Sequence, residues 1–466
     1  MKDKIYNSLP AEFQNLACSL QGLKLKRERM GGLFQNFLQA YLERKDWSYE
    51  QLIDYRDNRL REFVKHAYET VPYYNDLFKN LRLTPSDINS IEDLKSIPVL
   101  TKEEVRKNPE MFLSSKADPR KLIKLTTSGS TGTSLNIFYT KEQLQEQFAL
   151  WWKYRAQLGI SLDTWCADFG SRTIVPQKQI SPPFWRISYP LKQVKFSAFH
   201  GNENNYFEYY KEIKKRNLTW IHGYPTVITP FAAFLLDNNL SLADQIKFVT
   251  TGGENLYDFQ KEQMFQAFGV YPYSHYGLAE CVANFSEDID HKLTVDEDFS
   301  AVEFIPDGGD TYKIIGTNFS NYAMPLLRYD TNDIAVITKR SNSVTKREID
   351  HIDGRSGEII YLPSGKKVGA LSALFSQTSF IVEAQILQKK DYSLEIRYVS
   401  FENPKSVESD LNLVTKLLKS RLGDEISFNF KKLDRIPRTS RGKLRYVISE
   451  LENNQEIKSG GIVKND

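Results

Sequence analysis

The sequence predicts an α/β fold: a large N-terminal domain of layered sheets and helices over residues 1–354, then a small α+β domain over 355–466. Three observations predict it. Residues 1 to about 100 carry helical periodicity, and from about 120 to 350 short apolar runs ending in Gly-containing loops alternate with helical stretches. Beyond Arg355 the pattern restarts as strands around one long helix. At 466 residues, 41% of them hydrophobic, the chain is long enough to bury more than one core.

In the helical start, Leu60, Phe63, Val64, Ala67 and Val71 recur at helical spacing until Pro72 breaks the pattern. The run Ile97-Pro98-Val99-Leu100-Thr101-Lys102-Glu103-Glu104 reads as an extended segment entering a helix. Thr101 is its N-cap and Glu104 completes a capping box. In the alternating part, the apolar strand Ile246-Lys247-Phe248-Val249-Thr250 precedes a helix over 258–268, a pattern that puts ligand sites at strand ends. After Arg328 the strands are expected to shorten. Further on, strands at 379–387 and 393–399 precede a helix carrying Val407, Leu411, Val414 and Leu418. A strand near 426–430 then leads to the loop 436–443, a last helix and a polar tail.

Charge excludes some functions. With 62 Lys+Arg against 59 Asp+Glu, a net charge of +3 gives no basic footprint for nucleic acid. No apolar run has the length of a membrane span, and the N-terminus lacks the apolar core of a signal peptide. Three cysteines, Cys18, Cys166 and Cys281, make neither a disulfide framework nor a C-x-x-C zinc site, so a reducing cytoplasm is the expected setting. Nothing in the pattern fixes an oligomeric state.

Several short motifs carry chemistry. Thr126-Thr127-Ser128-Gly129-Ser130-Thr131-Gly132-Thr133-Ser134 is rich in N–H and O–H donors able to wrap phosphate, although it lacks the Walker spacing and lysine. Thr250-Thr251-Gly252-Gly253-Glu254 follows an apolar strand, where paired glycines allow a flat ligand close to the backbone. In Tyr276-Gly277-Leu278-Ala279-Glu280 a ring able to stack on a base is followed by a carboxylate able to hold a divalent metal. Leu327-Arg328-Tyr329-Asp330-Thr331-Asn332-Asp333 offers a carboxylate for a ribose diol. Ile352-Asp353-Gly354-Arg355-Ser356-Gly357-Glu358 lies at the domain border, and Ile436-Pro437-Arg438-Thr439-Ser440-Arg441-Gly442-Lys443 presents one lysine. Singly, these read as readily as a linker, a tight turn, a surface glutamate or a solvated basic loop.

Their order is more specific. Together, over about residues 126 to 443, they resemble the adenylate-forming superfamily of acyl-CoA synthetases, peptide-synthetase adenylation domains and luciferases. His66-Ala67-Tyr68-Glu69-Thr70-Val71-Pro72-Tyr73-Tyr74, the segment 97–102 and Ile221-His222-Gly223-Tyr224-Pro225 extend the likeness. They point to the phenylacetate–CoA ligase branch, and most to its capsular-polysaccharide-biosynthesis relatives.

The resemblance implies roles. Thr127, Ser128, Gly129, Ser130, Thr131, Gly132 and Thr133 would cradle the ATP phosphates, with Thr131 foremost. Gly252, Gly253, Glu254, Tyr276 and Gly277 would frame the nucleotide, Asp333 would hold the ribose hydroxyls beside Arg355, and Glu280 would coordinate Mg²⁺. Lys443, on a small domain rotating about a hinge near 355–358, would reach the reacting phosphate. His222, Tyr224, Pro225, His275 and Ala279 would line the acid's pocket; their aromatic walls suit an aryl or small hydrophobic acid, or are plain packing.

The implied reaction is ATP-dependent activation of a carboxylic acid to acyl-AMP with pyrophosphate release, then transfer to coenzyme A. An amine of a sugar or amino acid, or a carrier protein, is the alternative acceptor, and a nucleotide-binding protein without catalysis is the alternative of another class. The chain departs from the pattern in places. Ser134-Leu135 stand where many relatives have Pro-Lys, Asn332 stands where glycine is usual, and the zinc-site region of some relatives holds only Cys281 and His291. No zinc is expected.

Overall fold

The structure is a computed structural model. It describes residues 2–126, 135–170, 172–338, 346–355, 360–365, 367–368, 374–375, 378, 381–400, 404–423, 425–437 and 444–451. Helices α1 (Lys2–Ser8), α2 (Ala11–Met30), α3 (Phe34–Glu43), α4 (Tyr49–Thr70) and α5 (Pro72–Leu81) open the chain, followed by the short α6 (Lys102–Lys107). On α4 the stripe Leu60, Phe63, Val64 and Ala67 is wholly buried, as its spacing predicts. Pro72 opens α5 at the first helical position, where a missing N–H removes no bond. Thr101 and Glu104 form the expected capping box at α6, the Glu104 carboxylate accepting from the Thr101 N–H at 2.8 Å.

An antiparallel pair, β1 (Ile123–Thr126) and β2 (Asn136–Tyr139), leads into α7 (Lys141–Gln157). Then come β3 (Cys166–Phe169), β4 (Trp185–Ser188), β5 (Gln193–Phe196), α8 (Glu203–Lys215), β6 (Trp220–Gly223), α9 (Pro225–Asp237), β7 (Phe248–Gly252), α10 (Asp258–Phe268) and β8 (Tyr273–Gly277). β9 (Asn284–Glu287), β10 (Leu293–Val295), β11 (Ser300–Gly308), β12 (Thr311–Asn318), β13 (Tyr329–Val336), β14 (Glu348–Ile349) and β15 (His351–Arg355) follow.

Nine of these strands make one mixed sheet in the order β14-β10-β9-β8-β7-β6-β3-β5-β4, with β5, β3, β6, β7 and β8 parallel. α9 is apolar on all sides and buried on all sides, the sequence–burial match of a helix inside a core. A second, antiparallel sheet runs β11-β12-β13-β15. Between β10 and β11 the run Asp296-Glu297-Asp298 receives four cations from distant elements. Lys153 reaches Asp296 at 3.1 Å, Arg44 reaches Asp298 at 3.0 Å, and Arg56 and Arg347 reach Glu297 at 3.0 and 2.5 Å. These pairs tie the helical start to the sheets. Burial would raise the Glu297 carboxyl, but Arg347 and Arg56 hold it below its ordinary value.

Beyond β15, β16 (Ile360–Tyr361) pairs with β17 (Lys367–Val368). β18 (Ile381–Gln388), β19 (Leu394–Ser400), α11 (Pro404–Leu422), β20 (Phe428–Lys432) and β21 (Val447–Ser449) then build a sheet in the order β20-β19-β18-β21. Its core includes Ile386, Ile396, Val414 and Leu418.

Three expectations shift. The strand expected at 246–250 is β7, two residues later: Ile246 instead closes a turn onto the Leu242 carbonyl and is buried by packing alone. After Arg328 the strands do not shorten at once, because β13 spans eight residues. In place of a last helix after 443, residues 447–449 form β21, pairing in parallel with β18 at Ile386–Val447. An open sheet edge and the alternating burial of Val447 and Ser449 override local helical preference there.

Candidate active site

Parallel strands end together, and ligand sites form where they end. In a parallel pair, registered residues share a face. The register Lys195–Asp168–His222–Thr250, with Gly252 beside His275, therefore lines one face of β5, β3, β6, β7 and β8 with polar groups. His222 Nδ1 lies 2.9 Å from Thr250 Oγ1 and 3.1 Å from the Thr250 carbonyl oxygen. An N–H on Nδ1 satisfies both contacts, so we assign that tautomer. Burial first, then Arg155, pushes the His222 imidazole down to about 4; the same causes, with His222 added, push His275 down to about 3. Both rings are neutral at pH 7.

The paired glycines have physical reasons. A Cβ on Gly252 would stand 2.7 Å from His275 Cε1 and 2.8 Å from Nδ1, so any side chain there would displace the imidazole. Gly253 has φ +76°, the left-handed region that glycine enters without strain. Glu254 Oε2 accepts from the Thr226 N–H at 3.2 Å and from its hydroxyl at 2.7 Å. That seats a carboxylate at the N-terminus of α9, favoured by the exposed N–H groups and the helix dipole. Glu254 is thus joined to the turn of Tyr224, which precedes α9, and Pro225, its first residue.

Two motifs meet on the other side of the sheet end. The Tyr276 hydroxyl donates to Asp333 Oδ2 at 2.7 Å across 57 residues, and the Tyr276 ring stacks on Phe285 with centroids 4.9 Å apart. Asp333 is buried to 6% exposure and faces Arg355 in the β13–β15 register. Its neighbour Asn332 has φ +58° within an irregularity of the β12–β13 ladder. That conformation explains why glycine is usual at this position and why asparagine, the next most tolerant residue, replaces it. Asn332→Val is expected to destabilise the fold by about 1–3 kcal/mol through backbone strain, while Asn332→Gly is nearly neutral; urea unfolding checks both. The Asn332 side chain is exposed, so lost packing does not account for the difference.

The same pair of motifs makes a second contact. The Tyr329 hydroxyl donates to Glu280 Oε1 at 3.3 Å, and Glu280 is 8% exposed. The Tyr139 hydroxyl donates to the Ala279 carbonyl. Arg328 forms a two-pronged pair with Glu303 and reaches the Ile97 carbonyl at 2.7 Å, while Leu100 bridges to Tyr329. The Tyr74 hydroxyl accepts from the Leu327 N–H at 2.8 Å. The segments around residues 66–74 and 97–102 thus brace the strand that carries Asp333.

The CapK C-terminal domain family matches residues 360–450. Protein CapK of Staphylococcus aureus is 28% identical over 97% of this chain and 100% of its own length. Phenylacetate-coenzyme A ligase of Pseudomonas putida is 24% identical over 68% of this chain and 73% of its own. Among solved structures, 2-hydroxyisobutyryl-CoA ligase in its postadenylation state, in complex with R3-HIB-AMP, superposes with a TM-score of 0.66 at 16% identity. That likeness covers 90% of this chain and 94% of the ligase. The chain is similar along nearly its whole length to the adenylate-forming superfamily, in its phenylacetate–CoA ligase-like branch. It is an enzyme of the ligase class.

Of the residues expected at an adenylate-forming site, His222, Gly252 and His275 lie on β6, β7 and β8, with Tyr224, Gly253 and Glu254 in the adjoining turns and Pro225 opening α9. Tyr276, Gly277, Ala279, Glu280 and Asp333 gather at the junction of β8 with β13. A Cβ on Gly277 would come 2.9 Å from Asn284 Oδ1. Thr127, Ser128, Gly129, Ser130, Thr131, Gly132, Thr133 and Lys443 lie outside the described residues, as does the hinge segment 356–358; Arg355 is described only as a backbone position in β15. Cys281 Sγ accepts from Gln143 at 3.1 Å and His291 pairs with Glu287 at 2.8 Å. Among the described residues no group of three or more His, Cys, Asp or Glu is placed to hold a metal, and no helix is long and apolar enough to cross a membrane.

Sequence reasoning missed the floor of this region. Arg155, Trp151 and Tyr154 of α7 lie against the His222–His275 row, with Trp151 and Tyr154 ring centroids 5.7 and 5.6 Å from His275. In Trp151-Trp152-Lys153-Tyr154-Arg155 a basic residue on a helix gives no local sign of such a place.

Proposed function

We propose that this ligase activates a carboxylic acid with ATP to an acyl-AMP and then passes the acyl group to coenzyme A. The observation that carries the reading is the Tyr276–Asp333 hydrogen bond. It couples a ring suited to the base with a carboxylate suited to the ribose diol, and residues of two distant motifs meet in one place. We assign adenine to the Gly252–Gly253–Tyr276 side and the ribose to Asp333 and Arg355.

In the first step a carboxylate oxygen of the acid attacks the α-phosphorus, and pyrophosphate leaves with the electron pair of the broken P–O bond. No base is required, because a carboxylate is ionised at neutral pH. Two anions must approach, so catalysis consists of holding and neutralising charge. Glu280 fits Mg²⁺: it offers a hard oxygen donor steadied by the Tyr329 hydroxyl, and the ATP phosphates would complete the shell. The ion would supply charge neutralisation at those phosphates. Thr131 and Lys443 are assigned the phosphate oxygens, with Lys443 on a C-terminal unit beginning near residue 355. In the second step the thiol sulfur attacks the acyl carbon, AMP leaves, and the thiol proton is released.

A second reading keeps the first step and changes the acceptor to an amine of a sugar or amino acid. It is favoured by likeness along 97% of the chain to Protein CapK, against 68% for the phenylacetate-coenzyme A ligase of Pseudomonas putida. Pyrophosphate release across a panel of acids tests the shared step, with hydroxylamine trapping the acyl-AMP. Faster acid consumption with coenzyme A selects the first reading, and acceleration by amines alone selects the second.

Tyr276→Phe supplies a local check. Losing a hydrogen bond to a charged acceptor costs about 1.5 kcal/mol, so KM for ATP should rise roughly tenfold with little change in kcat. An unchanged KM for ATP counts against the ribose assignment.

A further inference from the structure

One face of the parallel sheet carries charge that adenylation itself does not use. The Arg155 guanidinium lies 5.0 Å from the ring of Trp152 and 5.4 Å from that of Trp220, and its Nε is buried with no hydrogen-bond partner. Among the described residues no carboxylate is within ion-pair distance of it. The acid nearest in character, Asp168, is already bound by Lys195 at 2.5 Å. Trp220 donates to Thr250 Oγ1 at 2.8 Å, which fixes one of the two indoles beside the cation; the two rings meet edge to face, 6.1 Å apart.

The surrounding groups do not cancel this charge. His222 and His275 are neutral, their charged forms disfavoured by burial and by Arg155. Two neighbouring indoles attract the guanidinium, yet its buried Nε–H still requires an acceptor. A buried cation with unused donors is destabilising unless an acceptor arrives. His222, Gly252 and His275 all keep partial solvent contact, so the face is open to a ligand.

These residues adjoin Gly252 and Tyr276, where the acyl-AMP would be made. A purely hydrocarbon acid placed against them would strip the donors of water and return nothing. We infer that the acid activated by this enzyme carries a second anionic group, and that Arg155 receives it. This rests on the adenylation reading and replaces the aryl or small hydrophobic acid that the aromatic walls alone imply.

The test compares pyrophosphate release in matched pairs: succinate against butyrate, glutarate against valerate, phthalate against benzoate. Diacids are expected to exceed their monoacid partners at least tenfold in kcat/KM. Arg155→Met should raise KM for the diacid by ten- to a hundredfold with KM for ATP unmoved, and Arg155→Lys should recover part of the loss. Turnover confined to monoacids overturns the inference and leaves adenylation standing. Silence with every acid while ATP still binds overturns the adenylation reading and the inference together. If Arg155→Met only lowers the melting temperature and the acid preference persists, Arg155 is a packing residue and the inference fails.

Discussion

Asp333→Ala is expected to raise KM for ATP by roughly a hundredfold, while the protein remains folded. A carboxylate receiving both hydroxyls of a ribose diol makes two charge-assisted hydrogen bonds, each contributing about 1.5 kcal/mol or more, so losing both costs about 3 kcal/mol. Asp333 is positioned before any ligand arrives: its Oδ2 already accepts from Tyr276, and its N–H donates to Thr331 Oγ1 at 3.1 Å. Asp333→Asn keeps the shape and one acceptor, so its KM should fall between those of the parent and the alanine variant. Steady-state kinetics with ATP varied at saturating acid gives all three values. Equal KM values across the series would mean that the nucleotide does not use this residue.

Lys443→Ala should lower acyl-AMP formation by about 10²–10³-fold, the usual cost of removing one donor aimed at developing charge. It should leave most of the transfer from a supplied acyl-AMP to the acceptor intact. The asymmetry follows if the C-terminal unit brings its lysine to the phosphates for the first half-reaction and withdraws it for the second. Single-turnover measurements of each half-reaction separate the two. Equal loss in both would count against a unit that alternates between them.

Much of the candidate site was legible because the proposed chemistry needs fixed residue types at short spacing. Tyr276 and Glu280 lie four residues apart, Tyr329 and Asp333 also four, and each short motif was readable before the fold was known. What joins them was not. Tyr276 meets Asp333 across 57 residues, and Glu254 meets Thr226 across 28, so those contacts exist only once the strands are in register. Asn332 read as an exception until its φ of +58° gave the reason.

Arg155 was invisible for a related cause. In the sequence it stands beside Lys153 with nothing to set it apart, and only the folded packing of α7 leaves its buried Nε without an acceptor. At the C-terminal end the last helix expected after residue 443 is a strand, because an open position beside β18 decides the conformation there. The stripe on α4 and its end before Pro72 were legible, while its start at Tyr49 was not.

The central claim is that a carboxylate oxygen is joined to the α-phosphorus of ATP. The most direct test is a turnover with a carboxylic acid labelled with ¹⁸O in both oxygens, followed by mass spectrometry of the nucleotide and phosphate products. AMP carrying one ¹⁸O per turnover and unlabelled pyrophosphate are expected, since the bridging oxygen leaves with AMP when the acceptor attacks the acyl carbon. Unlabelled ADP accompanied by phosphate carrying one ¹⁸O would place the attack on the γ-phosphorus and contradict it.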